Sequence, residues 1–338
     1  MAAKIDLPSQ QHQDRVAMAY IADDKFWEEE SEAPLLLSNL DFLGPQTSHD
    51  VEGILARVAK WPELSGADME ATIPERPEEE VPRILTADAE RTFATKRYRE
   101  QLIDLLHTIH GHFGDYHQGL GYVASFLSLV MERDRVIRLL LHLNSNERFM
   151  PGYWKAAPPA YVRDSKVFER LLAETYPDIA QKLRSAGVVP EAYASKWFVG
   201  LNIHVLPFRS LFNFIENYLQ YGHIYLFQFA LQLVAKVSDE LMATPPTDIA
   251  RMFALLRLDP SVLPERNSDP EFFVDDIAKA LAIDVDMDKV NAWRKEEMAK
   301  IEAQLARIKA LEKEDSDDEI TFSDESSSDS DSGEDGDE

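Results

Sequence analysis

Residues 85–120 read LTADAERTFATKRYREQLIDLLHTIHGHFGDYHQGL, and the rest of the chain is organised around them. The stretch holds Arg91, an acid three residues before it at Asp88, and Gln118 in the segment Tyr116-His117-Gln118-Gly119. Between them, Arg99 to His110 places Leu102, Ile103, Leu105, Leu106 and Ile109 at mostly helical spacing, which predicts a helix. One helix out and one turn back would bring Arg91 and Gln118 together at one end of it. Either residue alone on a surface is unremarkable. As a pair on a rigid helix they could reach into another protein's active site, the Arg to neutralise developing phosphate charge and the Gln to orient a water.

The 338-residue chain is long enough for one large or two medium domains with a sizeable core. It has no cysteine, so the fold stands on packing without disulfides or thiolate metal sites. The N-terminal MAAKIDLPSQQHQDR has no apolar core of the kind a secretory signal needs. The longest apolar runs fall far short of the ~20 residues of a membrane-spanning helix. The expectation is a cytoplasmic protein with no direct membrane insertion. The net charge of −26 is unevenly spread, since Glu314 to Glu338 carries 13 acids and no Lys or Arg. The remainder holds 48 acids against 35 bases and is only mildly acidic. Nucleic acid is excluded as a partner class, because binding phosphate backbones needs clustered positive charge.

Along the chain, residues 1–50 read as an N-terminal extension in which Arg15 to Trp27 could form a helix and Leu35 to Leu37 a short apolar patch. Residues 66–83, with three prolines and six acids, read as an extended connector. Helical periodicity then dominates to about Ala282, and no run shows the clean alternation of a strand, so the class is all-α. Gly119 to Met131 is apolar nearly all round and predicts a buried helix. Asp164 predicts the cap of a helix covering Val167 to about Ala186. Pro190 and Pro207 open later helices, and Gly222 separates two strongly apolar ones. Asp288 opens a long polar helix to about Lys313, docked through a stripe of Met298, Ile301, Leu305 and Ile308. The stripe is under two heptads, short for a coiled coil. The acidic, serine-rich tail over 314–338 predicts disorder, with serines open to acidophilic kinases and with a partner of its own.

The cluster His107, His110, His112 and His117 offers two readings. Imidazoles at His-x2-His can share a helix face and hold a metal, but no third-ligand motif accompanies them. Histidines at a helix C-terminus, facing its dipole, are the favoured reading, and no metal is expected. No P-loop, nucleophile elbow or dinucleotide-binding glycine pattern is present, so the chain carries no nucleotide of its own.

Leu85-x-x-Asp88-x-x-Arg91-Thr92-Phe93 resembles the Ile-x-x-Asp-x-x-Arg motif of TBC domains, the GTPase-activating domains for Rab-type small GTPases. Tyr116-His117-Gln118-Gly119-Leu120 is similar to their Tyr-x-Gln-Gly motif at the family's spacing. Further landmarks follow in order: Pro177-Asp178-Ile179, Leu183, Pro190-x-x-Tyr193, Trp197-Phe198, Pro207, Gly222 and Leu226-Phe227. Trp61-Pro62-x-Leu64 resembles the domain's opening, and the likeness covers about Val51 to Arg257. Phe214-Ile215-Glu216 departs from the family's Ile-Trp-Asp, and the opening around Arg57 to Leu64 is degenerate.

The resemblance implies a V-shaped helical domain over 51–283, followed by the helix to 313 and the tail. It implies that Arg91 is an arginine finger and Gln118 a glutamine finger, both supplied in trans to a Rab-type small GTPase in membrane traffic. Asp88 would hold Arg91 in its working rotamer, and Tyr116 would pack or bond behind the finger loop. GTP and magnesium would belong to the GTPase, so no cofactor is expected here and the chain would act only as a GTPase activator. The alternative is a silent TBC-fold adaptor that binds a GTPase or another partner. Recruitment to a membrane would be peripheral, through partners.

Overall fold

A computed structural model describes residues 26–27, 43–44, 48–269 and 271–321, with the side chains of residues 267–268 and 312–321 left aside. None of the described residues lies in a β-strand. The early part holds α1 (Val51–Val58), α2 (Trp61–Ser65), α3 (Arg83–Thr92), α4 (Lys96–Phe113), α5 (Gln118–Ser128) and α6 (Arg133–Ser145). Next come α7 (Pro159–Thr175), α8 (Pro177–Ser185), α9 (Pro190–Tyr193), α10 (Ser195–Phe198), α11 (Phe208–Tyr221) and α12 (His223–Lys236). The remainder holds α13 (Ser238–Ala243), α14 (Ile249–Leu256), α15 (Glu265–Ser268), α16 (Val274–Ala280) and α17 (Met287–Thr321). The all-α expectation is met, and no described helix is long and apolar enough to cross a membrane. The expected helix from Arg15, the Leu35 to Leu37 patch and the tail beyond residue 321 lie outside the described residues.

A single apolar core runs through the helices, and α5 and α12 are buried on nearly every side, as their continuous apolar sequence requires. The connector over residues 66–82 is irregular, as expected. The degenerate opening proves to have a definite role. Arg57 on α1 donates from Nε and Nη2 to the two carboxylate oxygens of Glu216 on α11, at 2.8 and 2.6 Å, and the Trp61 indole leans on the same acid at 3.4 Å. The fork of the guanidinium fits a carboxylate in this bidentate way, so α1 and α2 are registered on α11 by charge as well as by packing.

Both boundaries of the helix expected over Val167 to about Ala186 differ from the expectation. The helix expected from Val167 with Asp164 as its cap begins instead at Pro159 and stops at Thr175, and α8 restarts after Tyr176. Prolines explain both: Pro159 is pre-set for a first turn, and Pro177 disfavours helical backbone at Tyr176 before it. Asp164 is therefore not a cap but lies inside α7, wholly buried. It takes Arg163 Nε at 2.7 Å and Nη2 at 3.0 Å, the Tyr153 hydroxyl, and the guanidinium of Arg294 at 2.9 and 2.7 Å.

Arg294 sits on α17, so this carboxylate fastens the C-terminal helix to the body. The helix also runs on to Thr321, past the expected end near Lys313. Burial works to raise the Asp164 pKa, but Arg294 and Arg163 overcome it and hold the carboxyl below its usual value. Arg294 Nη1 further donates to His223 Nε2 at 2.9 Å, while His223 Nδ1 faces the Arg148 carbonyl at 3.0 Å. Burial, then the neighbouring Arg294, lowers the His223 pKa to about 4.

Removing one guanidinium from this cluster strands a buried charge. Arg294→Ala is expected to cost about 3 kcal/mol in urea unfolding, against near zero for Lys300→Ala on the exposed side of the same helix. The His223 shift carries a pH signature. Because its folded value lies below the unfolded one, its contribution is complete above the ordinary histidine value and is lost as pH falls toward 4. Stability should therefore decline as pH falls from about 6.5 to about 4, and His223→Gln should flatten that slope by up to one proton.

Candidate functional site

The site begins with an acid in the wrong place. Helix α3 turns Leu85, Asp88, Ala89 and Thr92 into the core, the i, i+3, i+4, i+7 stripe of an amphipathic helix, and Asp88 is only 5% exposed. A carboxylate there must find donors or pay heavily for lost solvation. It finds three. Arg91, one turn on, donates from Nη2 to Oδ1. The Tyr116 hydroxyl donates to Oδ2 at 2.7 Å, and Gln118 Nε2 reaches Oδ1 at 3.4 Å. All four residues singled out in the sequence thus meet on one carboxyl group, and Arg91 and Gln118 meet on a single oxygen of it. Burial pushes the Tyr116 phenol well above its usual value, and the Asp88 charge adds to the shift, so this hydroxyl stays a donor.

Arg91 and Gln118 differ in exposure from Asp88 and Tyr116. Arg91 keeps 63% of its side chain exposed although its guanidinium is tied to Asp88. Gln118 is half-buried at the start of α5, whereas Tyr116 is 4% exposed. The start of α5 is held by short local bonds. His117 is the N-cap and its Nδ1 accepts from Gly119 N at 2.9 Å, which needs the neutral ring. Burial lowers the His117 pKa and so favours that form. Asp115 accepts from Tyr116 N at 2.8 Å and from Ala156 N at 3.0 Å, and those two bonds hold its pKa down.

Two close approaches set the height of Gln118. A Cβ on Gly119 would stand 2.7 Å from Val199 Cγ1 and 3.0 Å from the Val199 backbone, and the Val199 carbonyl accepts from the Trp154 indole at 3.1 Å. A Cβ on Gly121 would stand 2.5 Å from the Tyr116 hydroxyl. Sequence reasoning did not single out Gly121, Val199 or Trp154, and Tyr122, one turn beyond Gln118, was also passed over. Tyr122 sets its ring 3.8 Å from that of His204, and burial followed by the Asp88 charge raises its pKa to about 12. The only signal available for these was the second glycine two residues after the first.

The four histidines expected near the end of α4 do not converge. His107 faces Arg76 at 3.2 Å, His117 caps α5, and His110 and His112 lie in the last turn of α4. Among the described residues no group of three or more His, Asp or Glu is placed to hold a metal ion.

A helical domain that ties an exposed arginine and a glutamine to one buried carboxylate defines a class of its own, and the comparisons give it a family. The Rab-GTPase-TBC domain family matches residues 61–242, and the chain belongs to it. Carabin from Mus musculus is 28% identical over 152 residues, covering 44% of this chain and 34% of that protein. Growth hormone-regulated TBC protein 1 from Rattus norvegicus is 24% identical over 150 residues, covering 44% of this chain and 52% of that one. The chain thus spans a third to a half of these relatives' length. Among solved structures, the Chlamydomonas flagellar RabGAP TBC domain superposes with a TM-score of 0.53 at 16% identity, over 69% of this chain and 84% of that one. The Skywalker/TBC1D24 TBC domain of Drosophila melanogaster gives 0.51 at 13%, over 74% and 86%. At such identities these two establish the shared fold.

Tyr116→Phe keeps the packing but leaves Asp88 Oδ2 without its buried donor, and should cost about 1–3 kcal/mol by thermal or urea unfolding. Gly121→Ala should destabilise by about 1–3 kcal/mol through overpacking. Gly121→Ala in the Tyr116→Phe background should cost less than in the wild type, because the atom it collides with is gone.

Proposed function

We propose that this protein is a GTPase-activating protein for a Rab-type small GTPase, acting in membrane traffic. The observation that carries the reading is the convergence of Arg91 and Gln118 on Asp88 Oδ1 with Arg91 largely exposed. GTP and magnesium enter on the partner GTPase. Arg91, held at one nitrogen by Asp88, extends its remaining donors to the phosphate oxygens where negative charge develops in the transition state. Gln118 gives Nε2 to Asp88 and keeps Oε1 as the acceptor that orients the attacking water. Tyr116 fixes the other oxygen of Asp88, so the carboxylate cannot swing and carry Arg91 with it. Asp88 and Tyr116 are positioning residues, and Arg91 and Gln118 are the two that touch the reacting groups.

A silent adaptor would need no such arrangement. An exposed arginine can bind a partner without a buried carboxylate to aim it, and a glutamine directed at the same oxygen adds nothing to docking.

The test is single-turnover GTP hydrolysis by a panel of purified Rab-type GTPases. The wild type should accelerate at least one of them, and Arg91→Ala should remove roughly 10³-fold or more of that acceleration. Gln118→Ala should lose most of it too. Because Arg91→Ala also takes a donor from the buried Asp88 carboxylate, its melting temperature should fall, and Arg91→Lys, which keeps a cation beside Asp88, should stay folded and still lose most of the acceleration. Acceleration that survives Arg91→Ala unchanged would reject the assignment. Capture of the same GTPases without acceleration would favour the adaptor.

A further inference from the structure

Helix α3 carries more than the arginine. On its outer face Ile84 is 50% exposed, and among the described residues only Leu311, near the end of α17, exposes a larger share of a big apolar side chain. Seven residues separate Ile84 from Arg91, two helical turns, so the two lie on one line along the helix. Ala87, half-exposed, falls between them on the same side of the helix. The stripe lies beside the buried one formed by Leu85, Asp88, Ala89 and Thr92, roughly a third of a turn round the helix from its centre. An isoleucine costs free energy in water and contributes nothing to the core from there.

From Arg83 to Glu100 there are five bases, of which Arg83, Arg91, Lys96 and Arg97 are exposed, against the three acids Asp88, Glu90 and Glu100, and the exposed Glu78, Glu79 and Glu80 precede the helix. Lys96 is 83% exposed, with Glu100 at 3.5 Å. A local cationic excess stands out on a chain whose net charge is −26. A surface of this kind, an apolar point beside a local excess of cations, suits a partner with an apolar contact and an acidic rim.

We infer that the outer face of α3 from Ile84 to Arg91 is the surface on which the GTP-bound GTPase docks, with Ile84 as its apolar anchor and Arg83, Lys96 and Arg97 as a rim that selects acidic partner surfaces. The inference rests on the GTPase-activating reading and deepens it, since it places the partner along the helix that carries the arginine. Arg91 supplies rate, whereas Ile84 supplies affinity. Ile84 is a specificity residue: a GTPase with a charged or bulky side chain opposite it is refused, and one with an apolar side chain there is accepted.

The experiment measures stimulated GTP hydrolysis against GTPase concentration for the wild type, Ile84→Ala, Ile84→Glu and Arg91→Ala. In parallel, the immobilised full-length variants capture the same GTPases loaded with GDP and aluminium fluoride. Ile84→Glu should raise the half-saturating concentration at least tenfold and weaken capture equally, with the rate at saturation within twofold of wild type and an unchanged melting temperature. Ile84→Ala should move in the same direction by a smaller factor. Raising salt from about 0.05 to 0.3 M should raise the wild-type half-saturating concentration several-fold, because the rim is exposed and screened.

The outcomes separate the two ideas. If Arg91→Ala abolishes the rate and both Ile84 variants behave as wild type, the docking face is wrong and the activity stands. If the wild type captures a GTPase without accelerating it, the activity is wrong and the effect of Ile84→Glu on capture decides the face. If it neither accelerates nor captures any member, both fall.

Discussion

The buried carboxylate of Asp88 is the constraint from which the site follows. An acid placed in the core stripe of α3 has lost its water, and removing a donor from such a group costs several times what a surface ion pair contributes. Its satisfaction therefore dictates its neighbours. Arg91 must lie back along its own helix, Tyr116 must bring a hydroxyl in from the loop before α5, and Gly121 must lack a side chain so that this hydroxyl has room. The cap at His117 and the contact of Gly119 with Val199 then fix where α5 starts, and with it Gln118. Each of these local choices is stabilising in its own right, and together they leave two polar side chains aimed from one point.

The same fold contains a second buried carboxylate, and the contrast is informative. Asp164 is enclosed by Arg163, Arg294 and Tyr153, and the two guanidinium side chains are 17% and 13% exposed. The guanidinium groups there turn inward onto the carboxylate, so the cluster is a clasp that fastens α17 to α7. At Asp88 the carboxylate and the tyrosine are as deeply placed, yet the arginine is 63% exposed. One arrangement is closed and the other is open on one side. Burial of the acid marks strain that needs satisfying in both, and exposure of the cation separates a site from a staple.

The sequence made the open arrangement legible and hid the closed one. Asp88, Arg91, Tyr116 and Gln118 all fall within some thirty residues, separated by one helix whose periodicity can be read, so their meeting follows from one reversal of the chain. Asp164 and Arg294 are 130 residues apart, and Arg57 and Glu216 are 159 apart. No periodicity carries information over such distances. An Asp shortly before an apolar run looks the same whether it caps a helix or sits inside one, and only Pro159 upstream betrayed the true start of α7. Acidity predicts a tail from Glu314, whereas α17 runs on to Thr321, because residues 287–321 contain neither glycine nor proline to stop a helix. Gly121 and Val199 escaped notice because a missing Cβ has meaning only once its neighbour is in place.

A final step concerns why these two residue types suit an open site. An arginine carries about 2 kcal/mol of rotamer entropy, and on a bare surface that would be lost at the moment of reaction. Tying one nitrogen to Asp88 spends it in the free protein, while the planar fork still leaves other donors pointing outward. Lysine carries its three donors on one nitrogen, so it has no second nitrogen held further out in a fixed plane to present to the phosphate while the first is tied to the carboxylate. Glutamine divides in the same way, its amide nitrogen held by Asp88 and its carbonyl left to accept. Glutamate in that place would set a second charge beside Asp88, and an aliphatic side chain would offer nothing. In the proposed activity, each of the two side chains has one end that the fold holds and another left for the partner. That property, more than charge or polarity alone, is what a preorganised site acting on another protein's substrate requires.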